Sequence, residues 1–144
     1  MADYDVMSKV ETAWITELNK NAYIIANSIP VIPYRNNART MTNGIYVFAR
    51  VPNTANDRYQ DTFKVRTQVI CYTNTPSDKE MEILRKYVDA VFNVAINTTL
   101  LDFSQSGNIT INGVEFTEEH DEEYDDNHQM VSINLVTMVT SISN

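Results

Sequence analysis

Two histidines set among carboxylates are the nearest this chain comes to a chemical motif, in Glu118-Glu119-His120-Asp121-Glu122-Glu123 and Asp125-Asp126-Asn127-His128. Imidazole nitrogens and carboxylate oxygens are metal ligands, so the run has to be weighed as a metal site. Its spacing is wrong for one. A calcium loop alternates its ligands around a bend glycine, which is missing here, and the histidines stand eight residues apart, off the shared helical face that a zinc-protease pair needs. Cys71 is the one cysteine. It has no internal disulfide partner, and its place in an alternating strand predicts a buried, reduced thiol rather than a nucleophile. Three glycines leave no Gly-rich phosphate loop, and the order of residues offers no Ser, His and Asp grouping and no neighbouring Cys and His pair. The expectation is a protein that is not an enzyme, with no catalytic residue, no cofactor and no bound metal.

The charges are more informative. All eleven Lys and Arg lie at or before Lys86, whereas the last 58 residues carry ten carboxylates and no basic side chain, so the chain divides into parts of about +2 and about −10. The acidic excess centres on Glu118, Glu119, Asp121, Glu122, Glu123, Asp125 and Asp126; the basic residues Arg35, Arg39, Arg50, Arg58, Lys64 and Arg66 occupy the stretch between the two predicted helices. For the acidic run the readings are a solvated, mobile hairpin loop that repels itself or an inter-subunit or lumen-lining surface. For the basic set they are an ordinary exposed sheet face with ion pairs of little energetic value, or a patch that meets the acidic run of an adjacent subunit in a head-to-tail ring. The net charge of −8 argues against a general nucleic-acid binder, which needs cations to neutralise phosphates.

The elements that must position these charges can be read from periodicity. At 144 residues and 43% apolar composition the chain is expected to form a single domain, 1–144, with one core. Val6, Val10, Trp14, Leu18 and Ile25, with Met7 and Ile15 beside them, predict an amphipathic helix from about Asp3 to Ala26, with Trp14 as core anchor and Lys9, Glu11, Glu17 and Lys20 on the other side. Charges within Met1 to Val10 leave no continuous apolar segment there, so neither a secretory signal nor a membrane span is expected, and the protein is placed in the cytoplasm. Pro30 and Pro33 bracket an extended piece, Ser28 to Tyr34, an edge strand or a connection.

Asn43-Gly44 marks a turn before a strand from Ile45 to Val51, where Ile45, Val47, Ala49 and Val51 alternate with Tyr46, Phe48 and Arg50. A polar loop from Pro52 to Gln60 follows, then a strand from Asp61 to Thr73 in which Phe63, Val65, Val69 and Cys71 face one way and Lys64, Arg66 and Gln68 the other. These two strands predict an antiparallel pair. Ser77 and Glu80 fit a capping box, and Met81, Leu84, Val88, Val91, Phe92 and Ala95 form the stripe of a helix from about Asp78 to Asn97. Asn108 to Thr117 alternates, with a turn or bulge at Asn112-Gly113. His128 to Ser143 alternates too, and its apolar character on both faces predicts cover from a helix on one side and a neighbouring element or subunit on the other. The sum is an α+β fold, a mostly antiparallel sheet of about four to five strands with two helices packed on one face.

This order resembles the tail terminator and tail completion proteins of long-tailed bacteriophages, of the lambda minor tail protein U type. The resemblance is carried by the opening helix to Ala26, Ile29-Pro30-Val31-Ile32-Pro33, the Gly44 to Arg50 strand, the Phe63 to Tyr72 strand running into Ser77 to Asn97, and the closing strand His128 to Ile142. It spans nearly the whole chain and rests on order and length; the acidic hairpin has no assigned family position. The resemblance implies a virion protein at the tail-neck junction, assembled in the host cytoplasm. It would form a homo-hexameric ring that ends tube polymerisation and offers a joining surface to a neck or head completion protein, and in sheathed tails to the sheath. DNA would pass through the lumen without specific binding, and an acidic lumen suits that role because it does not retain phosphates. The Pro52 to Gln60 loop and the Glu118 to Asn127 hairpin are the expected contacts with tube, neck or sheath. The other classes are a different head-tail connector and a small cytoplasmic enzyme or metal-binding module.

Overall fold

The computed structural model describes residues 6–34, 41–50, 53–55, 61–74, 78–96, 109–117, 120–124 and 128–141. In chain order the elements are α1 (Val6–Leu18), α2 (Ala22–Ala26), β1 (Val31–Pro33), β2 (Gly44–Ala49), β3 (Asn53–Ala55), β4 (Asp61–Thr73), α3 (Asp78–Ile96), β5 (Ile109–Phe116), β6 (Asp121–Tyr124) and β7 (Gln129–Ser141). The protein has an α+β fold. Its centre is the antiparallel pair β4 and β7, each of 13 residues, joined without a break from Asp61 opposite Ser141 to Thr73 opposite Gln129. Because side chains alternate along a strand, one register assigns every residue of both strands to a face. Val65, Thr67, Val69 and Cys71 of β4 and Val131, Ile133, Leu135, Thr137 and Val139 of β7 are buried on one face, whereas Lys64 and Arg66 are exposed on the other.

The remaining strands are laid along this pair, giving, among the described residues, a seven-stranded sheet in the order β1-β2-β4-β7-β5, with β3 also on β4 and β6 also on β7. The expected antiparallel pairing of the Ile45 and Asp61 strands is present, with Gly44 opposite Tyr72 and Ala49 opposite Thr67. The strand count exceeds the expected four or five because each outer arm is interrupted. β2 pairs with β4 as far as Ala49 opposite Thr67 and β3 pairs with it from Asn53 opposite Lys64; β5 pairs with β7 as far as Phe116 opposite Leu135 and β6 pairs with it from Asp121 opposite Ser132. Part of the Pro52 to Gln60 segment and part of the acidic segment, both read as loop, are therefore short strands. The bulge expected at Asn112-Gly113 lies between Ile111 and Gly113. Within the Ser28 to Tyr34 segment, Val31–Pro33 is an edge strand parallel to β2, secured by Ile45 N–H donating to the Pro30 carbonyl at 2.8 Å. That close approach explains Gly44, since a Cβ there would meet the Pro30 oxygen at 3.0 Å.

The helices cover one face. Val10, Trp14 and Leu18 of α1, Ile24 of α2, and Leu84, Tyr87, Ala90, Val91 and Ala95 of α3 share one core cluster with the buried strand residues. Burying each large side chain contributes about 1.5–3 kcal/mol. Trp14 is fully buried, as its place in the apolar stripe predicts, and its indole is a structural donor: Nε1 donates to Thr137 Oγ1 at 3.0 Å. Thr137 Oγ1 lies 3.0 Å from Thr67 Oγ1, and Thr67 donates to the Val65 carbonyl at 3.3 Å. This buried chain ties α1 to both central strands and satisfies each polar group it contains.

Three expectations for the first helix are corrected. It is two helices, because Asn21 turns its side chain into a cap, accepting from Tyr23 N at 3.0 Å and Ile24 N at 3.2 Å. The break resets the helical phase, so Ile24 is buried and Ile25, expected on the apolar stripe, is 62% exposed. Glu11 and Glu17, expected to face solvent, are buried at 2% and 3% exposure. Glu11 accepts from Ala49 N at 2.9 Å, meeting a β2 donor just past the end of β1, and Glu17 accepts from Lys20 at 2.9 Å. The second long helix matches expectation to one residue. Its proposed cap at Ser77 lies outside the described residues, and Glu80 accepts from Asn43 Nδ2 at 3.1 Å. On the helix-free face Met130, Val136 and Met138 of β7 are half-buried.

Helix α2 closes with Ser28 at φ 50, its N–H donating to Ile25 and the Ile29 N–H to Ile24. That is a Schellman closure with serine where glycine is favoured. Ser28→Gly should therefore raise stability by about 1 kcal/mol in urea unfolding. Thr137→Val, which keeps shape but removes the acceptor of the buried indole, should cost about 1–3 kcal/mol in the same measurement.

Candidate assembly interface

Of the basic residues singled out by the sequence, Arg50, Lys64 and Arg66 are described and all three are exposed; Arg35, Arg39 and Arg58 lie outside the described residues. Of the acidic set, Asp121, Glu122 and Glu123 are described and exposed; Glu118, Glu119, Asp125 and Asp126 lie outside. The β4–β7 register separates the two groups. Arg66 stands opposite Val136 and Lys64 opposite Met138, towards one end of β7, while Asp121, Glu122 and Glu123 stand opposite Ser132, Val131 and Met130, towards the other. Alternation divides the acids further: Asp121 and Glu123 share the helix-free face with Arg66, and Glu122 lies on the helix side.

The basic residues border a defined recess. A slot of about 400 Å³ on the helix-free face is lined by Arg50, Arg66, Gln68, Thr117, Asn134 and Val136, among others. Arg50 reaches it from the end of β2, where its backbone N–H donates to the Arg66 carbonyl at 2.9 Å. Its guanidinium lies 5.9 Å from the Phe48 ring centroid, and Phe48 meets Tyr34 edge-on at 5.3 Å. The floor is a row of amides crossing the sheet. Arg50 Nη2 lies 3.4 Å from Gln68 Oε1, Gln68 Nε2 donates to Asn134 Oδ1 at 3.1 Å, and Asn134 Nδ2 lies 3.5 Å from Asp121 Oδ2. The first and last contacts are long and weak, and the central amide pair is the firm one. This row joins one basic and one acidic residue through two amides rather than by a direct ion pair.

The sequence reading assigned Gln68 outward but overlooked Asn134. The clue was present: Ser132 and Asn134 put polar residues at alternate positions opposite the apolar Val131, Ile133 and Leu135 of the other face. Asn134 also organises the break between β5 and β6, its carbonyl accepting from Thr117 N at 3.2 Å and Thr117 Oγ1 at 3.1 Å, while its N–H donates to His120 Nδ1 at 3.3 Å.

The two histidines have separate surroundings. His120 meets Phe92 of α3 edge-on at 5.7 Å; His128 stacks on Tyr72 at 5.4 Å with Nε2 3.4 Å from Glu123 Oε1. Among the described residues no group of three or more His, Cys, Asp or Glu side chains could hold a metal ion, and no helix is long and apolar enough to cross a membrane. On the helix side a second cleft of about 290 Å³ lies between α3 and β6, lined by Met81, Leu84, Val88, Val131 and Tyr124 with Arg85, Asp89 and Glu122. Desolvation and the hydrogen bond to Glu122 raise the Tyr124 phenol above its ordinary pKa.

No family model matches the sequence, and no curated protein does. Among solved structures, a chain from the virion of a native gene transfer agent particle has a similar fold, with a TM-score of 0.67 at 13% identity, covering 96% of this chain and 100% of that one.

Cys71, the one thiol that could have carried chemistry, is fully buried, and desolvation pushes its pKa far above the ordinary thiol value. The native protein should leave a thiol-reactive dye unconsumed at pH 8 and take up one equivalent only when denatured.

Proposed function

We propose that this chain is a structural protein of a phage-like virion: a tail terminator that forms a ring on the tail tube, ends its polymerisation and offers the joining surface for the head or neck. The observation that carries the reading is the fold likeness, which spans nearly the full length of both this chain and the gene transfer agent virion chain. A likeness confined to a sheet and one helix would say little, since such sandwiches serve many purposes. Here the likeness covers 96% of this chain and 100% of that one, and the terminator resemblance of the sequence likewise spans nearly the whole chain.

The reading treats residues 1–144 as one domain whose job is contact. β3 pairs with the start of β4 and β6 with the start of β7; because β4 and β7 are antiparallel, these two short pairings lie at opposite ends of the sheet. A subunit built this way can address two different neighbours, tube at one end and neck or head completion protein at the other. Copies of the chain complete the ring between them, with DNA passing through the lumen and the sheath an additional neighbour in sheathed tails. A net charge of −8 fits a lumen that must not retain phosphates. A head-side connector is the rival reading that the same likeness supports, and mixing the protein with purified tubes and with portal complexes separates the two.

Electron microscopy of tails assembled without this protein should show tubes of uncontrolled length. Tails of normal length would sink the terminator reading.

A further inference from the structure

We infer that the Arg50–Arg66 slot is a carboxylate receptor for a second copy of this chain, taking the acidic β6 edge, with Glu123 foremost, of its neighbour in head-to-tail order. The inference rests on the ring reading and adds to it the identity of one contact. Among the described residues the side chains of Arg66 and Lys64 have no hydrogen-bond or ion-pair partner, and the Arg50 guanidinium has only the long contact to Gln68 and the Phe48 ring. Two guanidinium groups beside a recess of about 400 Å³ present donors in the planar fork that suits a carboxylate.

Among the described residues no acid of the chain pairs with the arginines of the slot. Glu123 pairs with Met130 and Arg66 with Val136, six positions apart along β7, which at about 3.4 Å per residue is roughly 20 Å. Glu115, opposite Val136 on its other side, stands two strand spacings from Arg66, about 10 Å, and makes no ion pair with it. Asp121 is already the terminus of the amide row. The acids therefore sit on the same sheet face as the slot but displaced along it. That offset leaves the slot open to a repeating contact between identical subunits.

Complementarity is also needed on energetic grounds. Copies carrying a net −8 repel one another at long range, so a stable contact must bring opposite charges together locally. Among the described residues, slot and β6 edge are exposed features of opposite charge on the helix-free face. The contact would be strongest at low ionic strength and would set orientation more than affinity.

The test uses a synthetic peptide with the sequence of residues 118–127, so that binding is read independently of ring formation, titrated into isotope-labelled protein at low salt and followed by NMR. Saturable shifts should centre on Arg50, Arg66, Gln68 and Asn134. Arg66→Glu should weaken binding at least about tenfold. A peptide with lysine at the positions of Glu122 and Glu123 should bind that variant and not the wild type. Two results would overturn the inference: no shifts in the slot, or tighter binding there of a ten-nucleotide oligothymidylate, which would make it a phosphate site. Neither bears on tube length, so the terminator reading stands or falls separately.

Discussion

Everything in this molecule is referred to one register, the unbroken pairing of β4 with β7 over 13 residues. Thirteen consecutive partners leave no freedom to slip by one, because a slip would send Val65, Val69, Ile133 and Leu135 to solvent and Lys64 and Arg66 into the core. The buried chain from Trp14 through Thr137 and Thr67 reinforces that choice, since its hydroxyls meet only when these two threonines stand on the same face at nearly the same height. Helix α1 is thereby fixed against the pair rather than merely laid on it. The outer strands then inherit their positions, and with them the placement of every charged residue on the helix-free face.

How much of this was legible depended on whether the information was local. Helix α3 and strand β4 could be read almost to the residue because their apolar periodicity is uninterrupted. The first helix was misread where a local competitor defeats periodicity. Asn21 offers its own side chain to two backbone donors, and a 3.6-residue pattern continued through such a cap assigns Ile25 to the wrong side. Glu11 was misread for the opposite reason, a long-range one. Burial of its carboxylate makes sense only once the Ala49 N–H is seen beyond the end of β1. Nothing within a few residues of Glu11 announces that donor.

The acidic segment shows the limit most clearly. Repulsion between neighbouring carboxylates argues for a loop, and four residues of it nonetheless form β6. A strand relieves part of that repulsion by sending successive side chains to opposite faces, and β7 supplies a ready row of partners. All four residues remain exposed, which is how a sheet edge bearing charge avoids indiscriminate pairing. The slot was legible only in its parts: Arg50, Arg66 and Gln68 were recognised as outward-facing, but the recess exists because Asn134 is on the adjoining strand. Cross-strand proximity is not written into either strand alone.

The indole at the centre of the buried chain has a further consequence. This protein contains a single tryptophan, and it is the residue that both fills the core and donates across the junction of α1 with β7. Its emission is therefore a signal from one address. A change in intensity or wavelength reports the undocking of one helix from one strand, without an average over scattered fluorophores and without any introduced label. The molecule carries its own optical gauge at the point where helix layer and sheet are joined.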